Sequence, residues 1–345
     1  MNRTFTRAML ALSVTGLAVA ATSAQSATTL RFSHFWPEVS TINKQVFAQW
    51  AKAVEEDSSG ELRVQLFPSQ TLSQADETYS ATVNGIADIG VTAQGYTAGR
   101  FPLSQVVELP GVSDSAPQGA CVLQTLYDDG LIDQEYDDSH VLFMFTTGPG
   151  YLHTKDTNVE KPSDLEGLRM RRPTAVAGDI LENMGAQPVG MPAPDIYTSL
   201  QRGVIDGLSI PWEGIKSFQL GDQLNYHTQV PFYTLIFVAT MNQSAYERLT
   251  PEQKQAIDEN SGMKWAENAG QVFAAEDEAG RKNAVEKGET INVIDNPLEN
   301  PDWQKPLKDG IEGYLSDLES RGLDQARDVY QAALDAKQAC VAQSS

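Results

Sequence analysis

The sequence predicts an α/β protein folded as two lobes, and three observations carry that prediction. From Thr29 onward, short β-rich runs alternate with amphipathic helical stretches, the pattern of a layered, largely parallel sheet. A short unit recurs in both halves of the chain, as Val83-Asn84-Gly85-Ile86-Ala87-Asp88-Ile89 and as Gln201-Arg202-Gly203-Val204-Ile205-Asp206-Gly207. The length of 345 residues suits about two domains.

The elements follow in order. Arg3 and Arg7 precede an apolar run from Ala8 to Ala21 and the small residues Thr22, Ser23 and Ala24, so residues 1–24 read as a secretory signal peptide cleaved after Ala24. The run falls short of the roughly 20 apolar residues of a membrane span. Thr29–Ser33 is a strand, and Ile42, Val46, Phe47, Trp50 and Val54 then recur at helical spacing. In Leu62–Phe67 the residues Leu62, Val64 and Leu66 share one strand face, closed by Pro68. A helix from Gln74 to Asn84 stops at Gly85, and Ile86–Thr92 returns to extended structure. In both copies of the repeated unit, glycine supplies a left-handed cap and the apolar pair after it starts a buried strand.

Prolines and glycines from Phe101 to Pro117 turn the chain. Thr250-Pro251-Glu252-Gln253 is a capping box, and the helical pattern after it runs to Lys287 past Gly262, Gly270 and Gly280. Such a stretch is about 55 Å long at 1.5 Å per residue, so it must break or brace both lobes. A last helical segment, Trp303–Ala339, ends at Cys340.

Composition narrows the function. With 46 acidic against 25 basic residues, the net charge of −21 repels polyanions and excludes a nucleic-acid partner. In an exported chain the even pair Cys121 and Cys340 is expected to form a disulfide. The histidines His34, His140, His153 and His227 are scattered without metal-ligand spacing, and no Walker loop, dinucleotide fingerprint or nucleophile elbow occurs. Gly148-Pro149-Gly150 begins like a fingerprint but lacks its third glycine. No cofactor, metal or catalytic residue is expected.

Leu168-Arg169-Met170-Arg171-Arg172-Pro173 concentrates cations in an acidic chain. On a strand Leu168 and Met170 face the core, Arg169 and Arg171 share the other face, and Arg172 breaks the alternation. The run is either an exposed face neutralised by Asp164 and Glu166 or an anion site, for which a guanidinium offers a two-pronged donor.

Three segments resemble the TRAP transporter substrate-binding proteins: Lys161-Pro162-Ser163-Asp164-Leu165-Glu166-Gly167-Leu168-Arg169-Met170-Arg171, Gly185-Ala186-Gln187-Pro188-Val189, and Ile196-Tyr197-Thr198-Ser199-Leu200-Gln201-Arg202-Gly203-Val204-Ile205-Asp206-Gly207. The likeness extends from Phe67-Pro68-Ser69-Gln70-Thr71-Leu72 through Leu249-Thr250-Pro251-Glu252. It implies a two-lobed, type II-like periplasmic binding protein with hinge strands and a long bracing helix. Lobe I would comprise residues 28–149 and 236–275, lobe II residues 150–235 and 276–325, and residues 326–345 a tail tethered to lobe I by the disulfide. The implied role is a monomeric periplasmic receptor, not an enzyme, that hands an organic acid to a TRAP membrane permease; the alternative of another class is an exported enzyme on a two-lobed scaffold.

The resemblance also singles out Arg171 as the partner of the ligand carboxylate. Many relatives carry a second arginine where this chain has Gly150, and a polar residue where it has Ile210. Losing a cation and gaining Ile210 beside Trp212 favours a monocarboxylate with an apolar or aromatic body over a C4-dicarboxylate, 2-oxo acid or sugar acid. Phe35 and Trp36 end the first strand, where α/β sheets bind ligands, or serve as core. Gln94, Tyr96, Trp212, Phe232 and Tyr233 are further candidates. Glu213 either meets a ligand hydroxyl or sits in the first turn of a helix.

Overall fold

The structure, a computed structural model, describes residues 27–343, so the expected leader at residues 1–24 lies outside the described residues. Within them nine strands form one mixed sheet: β1 (Thr28–Ser33), β2 (Leu62–Phe67), β3 (Ile89–Ala93), β4 (Ser139–Thr154), β5 (Arg169–Arg172), β6 (Gln187–Gly190), β7 (Gly207–Ile210), β8 (Tyr226–Asn242) and β9 (Thr290–Val293). The order is β2-β1-β3-β8-β4-β7-β5-β6, with β9 also paired to β8.

Two lobes follow from this order. β1 runs parallel to β2 and β3, and β5 runs parallel to β6 and β7. The antiparallel pair β4 and β8, 16 and 17 residues long, runs through both halves. One part of β8, Phe237–Met241, pairs with β3, while Tyr226–Gln229 pairs with β9; Tyr151–Thr154 of β4 pairs with β7. Between those parts the β4 register slips from Thr146 to Pro149 and again from Gly150 to Leu152. Such irregularities bend a strand, and they fall on Gly148-Pro149-Gly150.

The repeated unit occupies equivalent places in the two halves. Gly85 and Gly203 take left-handed φ of 74° and 66°. The aliphatic residue after each glycine does not start a buried strand as expected: Ile86 and Val204 are 52% and 45% exposed, and β3 and β7 begin only at Ile89 and Gly207. The reason is the aspartate. Asp88 accepts from the backbone N–H and Nε of Arg31 on β1, at 2.8 and 2.9 Å, and Asp206 accepts the same two donors of Arg169 on β5, both at 2.9 Å. Each carboxylate clips a turn onto the neighbouring strand before the chain enters the sheet. The helix before the first clip is likewise shorter than expected, Thr78–Val83.

The expected long helix both breaks and braces. Pro251–Asp258 opens with the Thr250 capping box, and a second helix starts after Gly262, whose φ of 66° interrupts the path. Met263–Lys287 then packs along β4 and against the helices Ala116–Asp128 and Trp212–Ser217. Its glycines allow close approach: a Cβ on Gly270 would lie 2.7 Å from Pro117 Cα, and one on Gly280 2.3 Å from the Trp212 carbonyl oxygen. The terminal segment is two helices, Gln304–Ser320 and Ala326–Gln343, separated at Gly322. Cys340 in the second is bonded to Cys121. No helix among the described residues is long and apolar enough to cross a membrane.

Candidate ligand-binding site

Where the two halves meet at the long strands, the walls close on a narrow cavity of about 20 Å³. Phe35 and Trp36, just past β1, stack with ring centroids 4.1 Å apart and supply one wall. Ile210 ends β7, Pro211 stops the strand, and Glu213 and Gly214 follow in the next helix. Tyr233, Leu235 and Phe237 alternate along β8, so the same strand face lines the cavity at every second residue. Phe218, Tyr96, Thr147, Ala193 and Arg171 complete it. A larger groove of about 490 Å³ lies along Lys216, Gly280 and Lys287; it opens to solvent and contains none of the candidate residues.

The three arginines of β5 have separate fates. Arg169 pairs with Asp206 at 2.6 Å and stays partly exposed. Arg172 packs its side chain against Gly178 and Gly190 without bulging, because β5 keeps its register with β6 through Gly190. Arg171 is 1% exposed, and no carboxylate among the described residues forms an ion pair with it. Its Nε donates to the Met191 carbonyl at 3.0 Å, Nη1 to the Ser209 carbonyl at 2.9 Å and Nη2 to Tyr96 Oη at 3.1 Å. A guanidinium has five N–H donors, so one on Nη1 and one on Nη2 remain.

Tyr96 extends that donor set. Its Oη accepts from Arg171 and also from the Ala193 N–H at 3.0 Å, which occupies both lone pairs and leaves the phenolic proton to donate. Tyr233 Oη is buried without a hydrogen-bond partner. Burial pushes the Tyr233 phenol well above its ordinary range, against the opposing pull of the Arg171 charge, so the proton stays on. Two guanidinium N–H groups and two phenolic O–H groups therefore stand without acceptors at one end of the cavity. That is a site for an anion.

The carboxyls of the region behave differently. Burial raises Glu213, helped by the neighbouring Asp277 and Glu276, to about 8 in spite of the 2.5 Å hydrogen bond from Ser217 Oγ. Glu108, fully buried, is also raised by burial to about 8, with one oxygen unpartnered. Both are held mainly in the neutral form at pH 7. Asp277 on the bracing helix is raised by burial to about 7; it accepts from the Glu213 N–H at 2.7 Å, fixing the start of the helix Trp212–Ser217.

Of the candidates read from sequence, Arg171, Phe35, Trp36, Tyr96, Ile210, Glu213 and Tyr233 line the cavity together. Four do not. Trp212 turns its indole onto His153 and His227, with centroids 4.9 and 4.7 Å away. Gln94 is buried, accepting from Tyr136 Oη at 2.8 Å. Phe232 alternates away from Tyr233. Gly150 contributes space: a Cβ there would lie 2.0 Å from Tyr233 Cε1, so the tyrosine ring occupies the room a side chain at 150 would need. The residues that the sequence did not single out are Phe218, Phe237, Leu235, Thr147, Ala193, Pro211 and Gly214, ordinary apolar or small residues brought in by the fold. The histidines His153 and His227, unrelated in sequence spacing, meet at 2.7 Å between Nδ1 atoms. Among the described residues no group of three or more His, Cys, Asp or Glu is placed to hold a metal.

Residues 32–312 match the family model of the bacterial extracellular solute-binding proteins, family 7 (DctP). The chain belongs to this family. Its fold superposes on a TRAP solute binding protein from Rhodoferax ferrireducens T118 in complex with copurified benzoate, with a TM-score of 0.88, 31% identity, and coverage of 92% of this chain and 100% of that one. A marine metagenome TRAP solute binding protein, specific for aromatic acid ligands and crystallised with 3-hydroxybenzoate, aligns with a TM-score of 0.83 and 34% identity over 90% of this chain and 98% of that one. Among curated relatives, the 2,3-diketo-L-gulonate-binding periplasmic protein YiaO of Escherichia coli K12 is 26% identical over 93% of this chain and 96% of its own length. Family 7 proteins are periplasmic receptors rather than enzymes, and the family implies a TRAP membrane permease as partner.

Proposed function

We propose that this TRAP receptor binds an aromatic monocarboxylate and delivers it to its permease. The observation that carries the reading is the charge count of the cavity. Among the described residues that line it, Arg171 alone holds a fixed positive charge, and the one carboxyl there, Glu213, is neutral. One carboxylate compensates one guanidinium. A second carboxylate would be buried without a partner, at a cost of several kcal/mol. The walls of Phe35, Ile210, Phe218 and Phe237 suit a flat apolar body. Similar proteins with benzoate and 3-hydroxybenzoate point the same way.

In this reading the carboxylate docks on Arg171 and the free phenolic protons of Tyr96 and Tyr233, and the lobes then close and exclude water, strengthening the ion pair. We assign residues 28–149 with 236–275 to lobe I, residues 150–235 with 276–325 to lobe II, and residues 326–345 to a tail. The pairing of β3 with Phe237–Met241 and of β9 with Tyr226–Gln229 supports that division. Residues 1–24 serve as the export signal, and the receptor acts as a monomer.

A thermal-shift panel tests the substrate class: benzoate, mandelate, succinate, glucuronate and 2,3-diketo-L-gulonate, each with purified protein. A ligand at 100 times its Kd stabilises by about 2.7 kcal/mol. Benzoate or mandelate should raise Tm while succinate and the sugar acids do not. A shift with succinate or a sugar acid alone would overturn the reading.

A further inference from the structure

The cavity has a second polar end that the carboxylate does not use. Trp36 Nε1 is buried and closes no hydrogen bond. Its N–H points at the Glu213 carboxyl, near enough to favour that group's charged form but without closing a hydrogen bond of good geometry, and Glu213 Oε1 accepts from Ser217 Oγ at 2.5 Å. Glu213 is 2% exposed and its backbone is pinned by Asp277, so neither residue swings out to water to satisfy itself. A buried donor without a well-formed partner is destabilising, and a ligand atom can recover that loss.

What fits is set by donor and acceptor counting. The Trp36 N–H needs an acceptor, and the Glu213 carboxyl both accepts and, when neutral, donates. A hydroxyl has one proton and two lone pairs and can serve both residues. An amino group offers little to the indole N–H, and a methyl group serves neither. The other acids beside this end, Asp277 and Glu276, favour the neutral form of Glu213.

We propose that Glu213 and Trp36 form a hydroxyl-recognising subsite, so that the preferred ligand is a ring-hydroxylated aromatic acid with its hydroxyl remote from the carboxylate. This inference rests on the aromatic-monocarboxylate reading and adds a specificity-determining pair to it.

Calorimetry with benzoate, 3- and 4-hydroxybenzoate, 3-methylbenzoate and 3-aminobenzoate tests it. At least one hydroxybenzoate should bind tenfold or more tightly than benzoate, and the methyl and amino compounds should not share the gain. In Glu213→Leu the hydroxyl preference should shrink to within threefold while benzoate still binds; Glu213→Gln, which keeps a donor and an acceptor, should retain most of it. Should Glu213→Leu fail to fold, Trp36→Phe removes the N–H and should cut the preference at least threefold. A wild-type protein that binds benzoate but gains nothing from a hydroxyl overturns the subsite alone. Preference undiminished in the folded variants does the same. If neither benzoate nor any of its substituted forms binds, both the subsite and the aromatic reading fall.

Discussion

Arg171→Met is the substitution whose effect follows most directly from the geometry. Three of the five guanidinium N–H donors are committed to Met191, Ser209 and Tyr96, leaving two for a ligand carboxylate. Hydrogen bonds to charged groups are worth about 1.5–3 kcal/mol each, so losing both removes about 3–6 kcal/mol of binding, or two to four decades in Kd. Methionine keeps much of the volume but leaves two backbone carbonyls without their partner, so the variant should also melt earlier; Tm and gel filtration establish that it folds. Arg171→Lys keeps a charge and loses the fork, and should sit between, ten- to hundredfold weaker than wild type. Because the ion pair is buried, wild-type affinity should change little with added salt, unlike that of an exposed pair. The assay is calorimetry with benzoate at two ionic strengths. A folded Arg171→Met within threefold of the wild-type Kd would refute the donor count and move the anion elsewhere.

Three further outcomes follow. Gly150→Ala places a Cβ 2.0 Å from the Tyr233 ring, an overpacking worth about 1–3 kcal/mol that pushes Tyr233 Oη off the anion; benzoate affinity should fall at least tenfold, and an unchanged Kd would show that Tyr233 is not a contact. Reducing the disulfide between Cys121 and Cys340, 219 positions apart, should cost up to about 5 kcal/mol and lower Tm without altering Kd, since it fastens the C-terminal helix to the helix Ala116–Asp128; a weakened Kd would contradict that separation. Stability of the ligand-free protein should fall as pH rises. Glu108 and Glu213 are held neutral to about 8 and Asp277 to about 7, so above the ordinary carboxyl range the folded state binds more protons than the unfolded one, and each group removes about 1.4 kcal/mol per pH unit up to its folded value. His34 and His227, both lowered by burial to about 4, act in the opposite direction only below about 6.5. Tm should therefore be higher at pH 6.5 than at pH 8.5, with a flatter slope in Glu213→Gln; a rise over that interval would count against the buried neutral acids.

How far the sequence could be read depended on whether local chemistry or tertiary placement decided each feature. The glycine stops at Gly85 and Gly203, the capping box at Thr250 and the cysteine pair are local or compositional signals, and the structure has all of them. Trp212 shows where reading along the chain fails. Pro211 ends β7 and starts a helix, so Trp212 and Glu213 stand about 100° apart around its axis, one against the hinge-strand histidines and the other in the cavity. The Phe232 and Tyr233 pair fails for the strand equivalent of that reason: with a period of two, adjacent residues cannot face the same cavity. Phe218 and Phe237 carry no sequence mark that separates wall from core.

The two aspartate clips explain why one arginine of an apparent cluster is left for a ligand. Arg31 and Arg169 occupy matching places on β1 and β5, each tied to the aspartate of a glycine-capped turn. That pairing consumes Arg169 as a structural fastener at the partly exposed end of β5. Two residues further along, the same strand face has passed beneath the lobe junction, where Arg171 meets only carbonyls and a phenol. Strand periodicity places both arginines on one face, and the aspartate decides which of them is already satisfied. Removing the clip with Asp206→Asn should therefore lower Tm by loosening β7 against β5, yet leave the benzoate Kd within a few-fold of wild type. A collapse in affinity without loss of stability would mean that Arg169, not Arg171, meets the carboxylate.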